Sequence, residues 1–180
     1  VAKPNDRPGW DSPWGRGNPG WHIECSAMAR SLLGQEIDIH TGGIEHIPIH
    51  HNNEIAQAEA VSDRQYSHFW LHNDHLLVDG KKISKSLGNT IYVRNLVDRG
   101  FSPLSFRYLL LSAHYKSQIN FTSDSLDAAH AALTRLQKYF LDELRSAKHG
   151  NPSQTYSDRF TEAVNDDLNT AKALAVMWEL

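Results

Sequence analysis

Apolar residues along this 180-residue chain follow two regimes. Up to about Val78 they come in short runs broken by histidine, glycine and proline; from Val93 onward they recur at helical spacing. The stretch Trp21 to Gly34 sets Ile23, Met28, Leu32 and Leu33 ahead of a glycine stop, which predicts a helix. Ile37-Asp38-Ile39-His40 predicts a short strand and Thr41-Gly42-Gly43 a turn that lets backbone approach a ligand. After a loop through Pro48, His50 to Val61 is helical in type. His68 to Val78 is mixed, with a strand at Leu76-Leu77-Val78 that meets the Asp79-Gly80 turn, a hairpin signal. Val93 to Arg99, stopped by Gly100, is a short helix; Ser102 as cap and Pro103 at the first helical position open another through Leu111. Thr122 or Ser123 caps a long helix to about Ser146, whose stripe Leu126, Ala129, Ala132, Leu133, Leu136, Phe140, Leu141 and Leu144 reads as helix-bundle core. Lys148 to Ser157 is a polar linker, and Phe160 to Leu180 begins a further helical pair. Ahead of all this, Val1 to Gly20 is Pro/Gly-rich loop, with Trp10 and Trp14 expected to pack on a domain surface. The pattern is α/β in the first half and all-helical in the second.

Composition narrows this. Hydrophobic residues at 40% and charged residues at 22% fit a packed core rather than disorder. No run of about 18 apolar residues and no secretory leader is present, so the expectation is a cytoplasmic protein without a membrane span. One cysteine, Cys25, excludes an internal disulfide framework and a multi-cysteine zinc knuckle, so any metal must use mixed ligands. The net charge of −3 conceals an asymmetry: Lys81 to Lys116 holds seven basic residues and one acid, a net of +6, which leaves −9 on the remainder. An electropositive face on an acidic body draws a polyanion to one place. The sequence does not fix an oligomeric state.

Two clusters carry chemistry. Lys81 to Thr90, Lys-Lys-Ile-Ser-Lys-Ser-Leu-Gly-Asn-Thr, sets Lys82 and Lys85 among Ser84 and Ser86, with Gly88 and Asn89 to turn the backbone and no acid to interrupt. Lysines act on phosphate as flexible point charges, and hydroxyls add oriented hydrogen bonds. The second cluster is Cys25, His40, His50 and Glu54, four residues of metal-ligand or thiol type. His50 and Glu54 are four apart, one helical turn, within reach of one ion; with the Cys25 thiolate they make S, N and O donors and leave a fourth tetrahedral position open, the layout of a working zinc site. Spacing alone also allows a solvent-facing His–Glu contact and a cysteine that merely fills space, since eleven histidines are spread along the chain.

Lys82-Ile83-Ser84-Lys85-Ser86 resembles the KMSKS signature of class I aminoacyl-tRNA synthetases, with Ile in the Met position. Together with Gly20-Trp-His-Ile-Glu-Cys-Ser-Ala-Met28, Asp38-Ile-His-Thr-Gly-Gly43 and His50-His-Asn-Asn-Glu-Ile-Ala-Gln-Ala-Glu59, it resembles, in order and spacing, the catalytic half of the cysteinyl-tRNA synthetase family. The resemblance implies the second half of a Rossmann-type nucleotide-binding domain with the zinc and cysteine site over 1–80, the KMSKS-like loop and stem-contact-type helices over 81–121, and the start of a helical tRNA-binding domain over 122–180. It implies that Cys25, His50 and Glu54 are three of four Zn2+ ligands, that Trp21 and His40 line the L-cysteine pocket, and that Lys82, Ser84, Lys85 and Ser86 bind ATP with its Mg2+, with Lys82 and Lys85 catalytic. Glu45 stands where the family usually has Asp, near the ATP ribose, one methylene longer.

The implied activity is ATP-dependent activation of cysteine and its transfer to tRNA(Cys). The basic residues Arg94, Arg99, Arg107 and Lys116 are then expected to form an acceptor-stem footprint. The family's His-Ile-Gly-His signature and first zinc cysteine belong upstream of Val1; His46-Ile-Pro-Ile-His50 only imitates that signature. The chain is therefore expected to be the C-terminal part of a larger catalytic domain, without full activity alone. Two rivals remain: the mycothiol-pathway ligase that joins cysteine to a sugar amine, and a noncatalytic zinc- or RNA-binding module derived from the synthetase. A metal hydrolase fits poorly, because there is no His-Glu-x-x-His pair.

Overall fold

The computed structural model describes residues 9–145 and 153–180, apart from the side chains of Lys85, Glu143 and Leu144. Expectations on Pro4, Pro8, the Lys85 and Leu144 side chains, Ser146 and the first part of the linker lie outside the described residues. The chain divides into two compact units, Val1–His72 and Asn73–Leu180, so the strand at 76–78 groups with the lysine stretch and the helices that follow it.

In the first unit, α1 (Trp21–Leu33) ends at Gly34, whose φ of 101° suits a residue without Cβ. Strand β1 (Ile37–Gly43) then leads into a 3-10 turn (Ile44–His46), a wide π-type turn (Ile47–His51) and α2 (Asn52–Ser62). Strand β2 (Ser67–Asn73) pairs with β1. Ile37, Ala58 and Tyr66 are buried here, packed on by Ala29, Ile55 and Trp70.

Several expectations are corrected in this unit. Thr41-Gly42-Gly43 continues the strand instead of turning, because β1 runs on through it beside β2. Pro48 sits in the first turn of the helical run, where its missing N–H leaves no bond unmade, rather than in a loop. Helix α1 is where the pattern puts it, but its apolar markers face outward: Met28 and Leu33 are exposed and Leu32 is 80% exposed, whereas Ser26 is buried and its Oγ donates to Gln57 Oε1 on α2 at 3.0 Å. Trp10 and Trp14 do not pack on a domain surface; Trp14 is 93% exposed, at the tip of a turn closed by paired hydrogen bonds between Trp10 and Gly17.

In the second unit, β3 (Leu76–Val78) forms the predicted hairpin with β4 (Lys81–Lys82), antiparallel with Val78 opposite Lys81. Asp79 and Gly80 both take positive φ at its turn. On its other side β3 pairs in parallel with β5 (Ile119–Phe121), Val78 opposite Phe121. The lysine stretch and helices α3 (Val93–Asp98) and α4 (Pro103–Leu111) connect the two parallel strands. Ser102 Oγ accepts from Leu104 N, the predicted cap. At the head of α5 (Ser123–Tyr139), Thr122 Oγ1 accepts from Ser125 N at 3.0 Å while Ser125 Oγ accepts from Thr122 N at 2.9 Å. Val78, Leu96, Leu109, Phe121, Leu126 and Ala129 form the core of this unit. Only the first part of the α5 stripe reaches it: Phe140 and Leu141 are exposed, in a π-type turn (Phe140–Leu144) beyond the α4 contact. Helix α6 (Gln154–Asn165) starts inside the predicted linker, and α7 (Thr170–Met177) follows after a corner in which Asp167 and Leu168 both take left-handed φ.

Candidate metal centre

The wide turn and α2 present His50, His51 and Glu54 in sequence. Adjacent helical residues point about 100° apart, so the two imidazoles reach the Glu54 carboxylate from different sides. Glu54 is fully buried. Its Oε1 lies 3.3 Å from His50 Nε2, while its Oε2 lies 2.9 Å from His40 Nε2 on β1 and 4.0 Å from His51 Nε2. Cys25, on α1, completes the first set: the ligand atoms of Cys25, His50 and Glu54 lie within 4.8 Å of one another. The atoms of His40, His51 and Glu54 meet the same limit. Two further imidazoles stand behind these, with His22 Nδ1 3.0 Å from His50 Nδ1 and His72 Nε2 2.7 Å from His51 Nδ1. Gly42 makes room for this crowd, since a Cβ there would come within 2.6 Å of the buried His51 ring and 2.8 Å of His46 Nδ1.

Both Glu54 oxygens are buried, and neither has a partner in hydrogen-bonding geometry. Buried carboxylates are ordinarily hydrogen-bonded or bound to a cation, so donor atoms that crowd this one without bonding it fit a metal ion. Burial, then the charge of Glu54, raises the Cys25 thiol above its ordinary value. Burial lowers His50 against the pull of Glu54, helped by His46 and His22. His51 is pushed down to about 4 by burial and by His40, His72, His46 and His50, and His72 is lowered by burial and by His40 and His46. His50, His51 and His72 are thus neutral at pH 7, the form that ligates a metal, while the thiol needs a cation to become a thiolate. Tyr66, whose hydroxyl is buried without a hydrogen-bond partner, rises to about 12 through burial and the charges of Glu54 and Cys25.

The other sequence-predicted residues are distributed as follows. Trp21 lies beside the cluster, its ring centroid 4.4 Å from that of His50 and 5.4 Å from that of His46. His40, besides its contact with Glu54, packs its ring on Trp70 at 4.8 Å. Glu45 is in the 3-10 turn with its carboxylate folded over Gly43. Lys82, Ser84 and Ser86 belong to the second unit, where the lysine loop is braced from within. Asn89 Oδ1 accepts from Ser84 N at 2.9 Å, Asn89 Nδ2 donates to Lys82 O at 3.1 Å, and the hydroxyls of Ser84 and Ser86 are 2.7 Å apart. Asn89 is thus a clamp as well as a turn residue. Of the expected basic footprint, Lys116 is paired with Asp167, which also accepts from Tyr115 Oη at 2.6 Å. Arg99 lies against Phe101 and donates to Ser123 Oγ at 3.3 Å.

His22, His51, His72 and Tyr66 were not singled out by sequence reasoning. With eleven histidines in the chain, the one local signal was the pair His50-His51, which a helical turn must aim at two places.

Residues 1–131 match the family model for the tRNA synthetases class I (C) catalytic domain, and residues 159–180 match that of the DALR domain. A cysteine–tRNA ligase of Chlamydia felis (strain Fe/C-56) is 49% identical over 179 residues, covering 94% of this chain and 37% of the relative. One from Opitutus terrae is 50% identical over 181 residues, covering 100% of this chain and 39% of the relative. The chain thus spans less than two-fifths of the length of these relatives. Among solved structures, a LeuRS from Agrobacterium radiobacter K84, in a ternary complex with tRNA and LeuAMS, superposes with a TM-score of 0.65 at 22% identity, over 79% of this chain and 22% of that one, which establishes a shared fold. Motif order, mixed helix–sheet architecture and these matches agree: the chain belongs to the class I (C) tRNA synthetase catalytic-domain family, with a DALR-domain segment at 159–180.

Proposed function

We propose that this chain is the cysteine-selecting and ATP-loop part of a cytoplasmic cysteine–tRNA ligase, built on the second half of a Rossmann-type domain. The observation that carries the reading is the meeting of Cys25, His50 and Glu54, whose buried carboxylate the imidazoles approach outside hydrogen-bonding geometry. Thiolate sulfur, imidazole nitrogen and carboxylate oxygen are three of the four Zn2+ donors that the family resemblance implies, and their mixed chemistry suits that ion. Zinc held there supplies one thing: it favours a thiolate over an alcohol, which shape alone separates by only about a hundredfold.

The chain's own residues do the rest. Trp21, beside His50, and His40, against Glu54, wall the L-cysteine site. His22 holds the His50 ring by its second nitrogen, a support that orients a metal-bound imidazole. On the lysine loop, Lys82 and Lys85 neutralise ATP phosphate charge while Ser84 and Ser86 donate to it, with Mg2+ accompanying the nucleotide and Glu45 near the ribose. The reaction is attack of the cysteine carboxylate on the α-phosphorus of ATP. The P–O bond to pyrophosphate breaks, the cysteinyl group is carried as its adenylate, and a 3′-terminal ribose hydroxyl of tRNA(Cys) then takes it as the acyl–phosphate bond breaks and AMP leaves. In this scheme 1–80 selects the amino acid, 81–121 carries the nucleotide loop and stem-contact helices, and 122–180 begins the tRNA-binding helices. Arg94 and Arg107 serve as the stem contacts.

Cobalt substitution tests the metal. Co2+ added to the metal-free chain is expected to give a thiolate-to-cobalt charge-transfer band that Cys25→Ser abolishes. Absence of the band in the wild type overturns the reading. The mycothiol-type ligase predicts the same band but no charging of tRNA(Cys) by the full-length enzyme, and a noncatalytic module predicts no ATP–pyrophosphate exchange.

A further inference from the structure

The Glu54 carboxylate has two oxygens, and the structure equips both. Oε1 lies 3.3 Å from Nε2 of His50, a member of the set already described. Oε2 lies 2.9 Å from His40 Nε2 and 4.0 Å from His51 Nε2. In a tetrahedral site with metal–ligand bonds of about 2.0–2.1 Å, neighbouring donor atoms stand about 3.4 Å apart. The two Oε2 distances bracket that spacing, as the 3.3 Å between His50 Nε2 and Oε1 matches it. The surroundings repeat as well. His50 is held through Nδ1 by His22, and His51 is held through Nδ1 by His72, so each ligand ring keeps its Nε2 for the carboxylate. Oε2 is buried and without a hydrogen-bond partner, just as Oε1 is.

We infer that His40, His51 and Oε2 of Glu54 form a second divalent-cation position, free of sulfur, that competes with the Cys25 position for the one carboxylate. A single carboxylate and a single thiolate do not balance two buried dications, so the positions fill one at a time. The sulfur ligand favours zinc at the first. The second, with two imidazoles and a carboxylate, is where an ion rests when Cys25 is replaced by a residue without sulfur. This rests on the first position being a metal site, and the test separates the two failures.

The experiment titrates metal-free chain with Co2+ and follows visible absorption, with bound cobalt counted by equilibrium dialysis. Wild type should bind about one Co2+ with the thiolate charge-transfer band. Cys25→Ser should still bind about one, with ligand-field bands and no charge-transfer band. In the Cys25→Ser background, His72→Ala should weaken binding about 10–100-fold, the usual effect of losing the partner behind a metal-bound histidine, whereas His22→Ala should leave it unchanged. Cys25→Ser/His40→Ala, at a position on the strand rather than in the helix, should weaken it further. Circular dichroism checks that each variant is folded. If Cys25→Ser binds no cobalt while wild type shows the band, the second position is overturned and the first stands. The second position is likewise overturned if His22→Ala weakens Cys25→Ser as much as His72→Ala does. No band in wild type overturns the first position itself.

Discussion

The metal-free protein should become more stable when its central ligand is blunted. Glu54 is fully buried, and three imidazole nitrogens lie 2.9, 3.3 and 4.0 Å from its oxygens without hydrogen-bonding geometry. A buried charge left without a charged partner costs several kcal/mol even after relaxation, so a neutral group of the same shape avoids that cost. Glu54→Gln keeps the shape, removes the charge and gives the lone pair of His40 or His50 an amide donor. In EDTA it should therefore raise stability by about 1–3 kcal/mol, or about 2–4 °C in Tm for each kcal/mol in a chain of this size. Zinc reverses the order. At a hundredfold excess over Kd a site-specific ligand adds about 2.7 kcal/mol to the wild type, and the Gln variant should gain none. Tryptophan fluorescence during urea unfolding is the assay, since four of the five tryptophans lie in the unit Val1–His72 that holds the site. A Gln variant less stable than wild type in EDTA would refute the reasoning, because the carboxylate would then be satisfied by the protein rather than held for a cation.

Other consequences can be checked alongside. Asn89→Ala removes both cross-loop hydrogen bonds, each of about 0.5–1.5 kcal/mol, and should speed limited proteolysis within 83–88 while leaving global unfolding nearly unchanged. The depressed Asp167 carboxyl, held down by hydrogen bonds from Lys116 and Tyr115, stabilises the fold above the ordinary carboxylate pKa, and this contribution is lost as pH falls through the lower folded value. Asp167→Asn should flatten the acid limb of the stability profile in that window and leave its shape above about pH 5 unaltered. Leu126→Ala, at a fully buried site in the second core, should cost about 2–5 kcal/mol in chemical denaturation. In the full-length enzyme, Arg94→Glu with Arg107→Glu should raise KM for tRNA and spare ATP–pyrophosphate exchange; equal loss in both assays would remove the footprint.

What the sequence disclosed depended on whether the signal was local. The Ser102-Pro103 start, the Thr122 cap and the Asp79-Gly80 turn are decided by a few neighbouring residues, and all three appear where the pattern puts them. Helix α1 was legible, yet its inward face was not: its contact with α2 uses Ser26 and Ala29, whose small size permits close approach, while the larger Met28, Leu32 and Leu33 point outward. Strand β5 has three residues and exists through parallel pairing with β3 from more than forty positions away, so no window around Ile119 could reveal it. Strand β2, Ser-His-Phe-Trp-Leu-His-Asn, interleaves histidines that look polar, and one of them, His72, packs as a ring on Trp70. The metal cluster shows the same division. The i, i+4 relation of His50 and Glu54 was local, but its link to Cys25, far earlier on another helix, rested on donor type alone until the family resemblance named the ligand set. The approach of His40 and His51 to the other carboxylate oxygen required coordinates.

The central claim is that the Cys25–His50–Glu54 cluster holds a zinc ion with a place for a substrate sulfur, and X-ray absorption at the zinc edge addresses it most directly. The account predicts Zn–S scattering at about 2.3 Å in the zinc-loaded chain, gaining one sulfur when L-cysteine is added and none when L-serine is added. A zinc shell with no sulfur, or one that cysteine leaves unchanged, would contradict it.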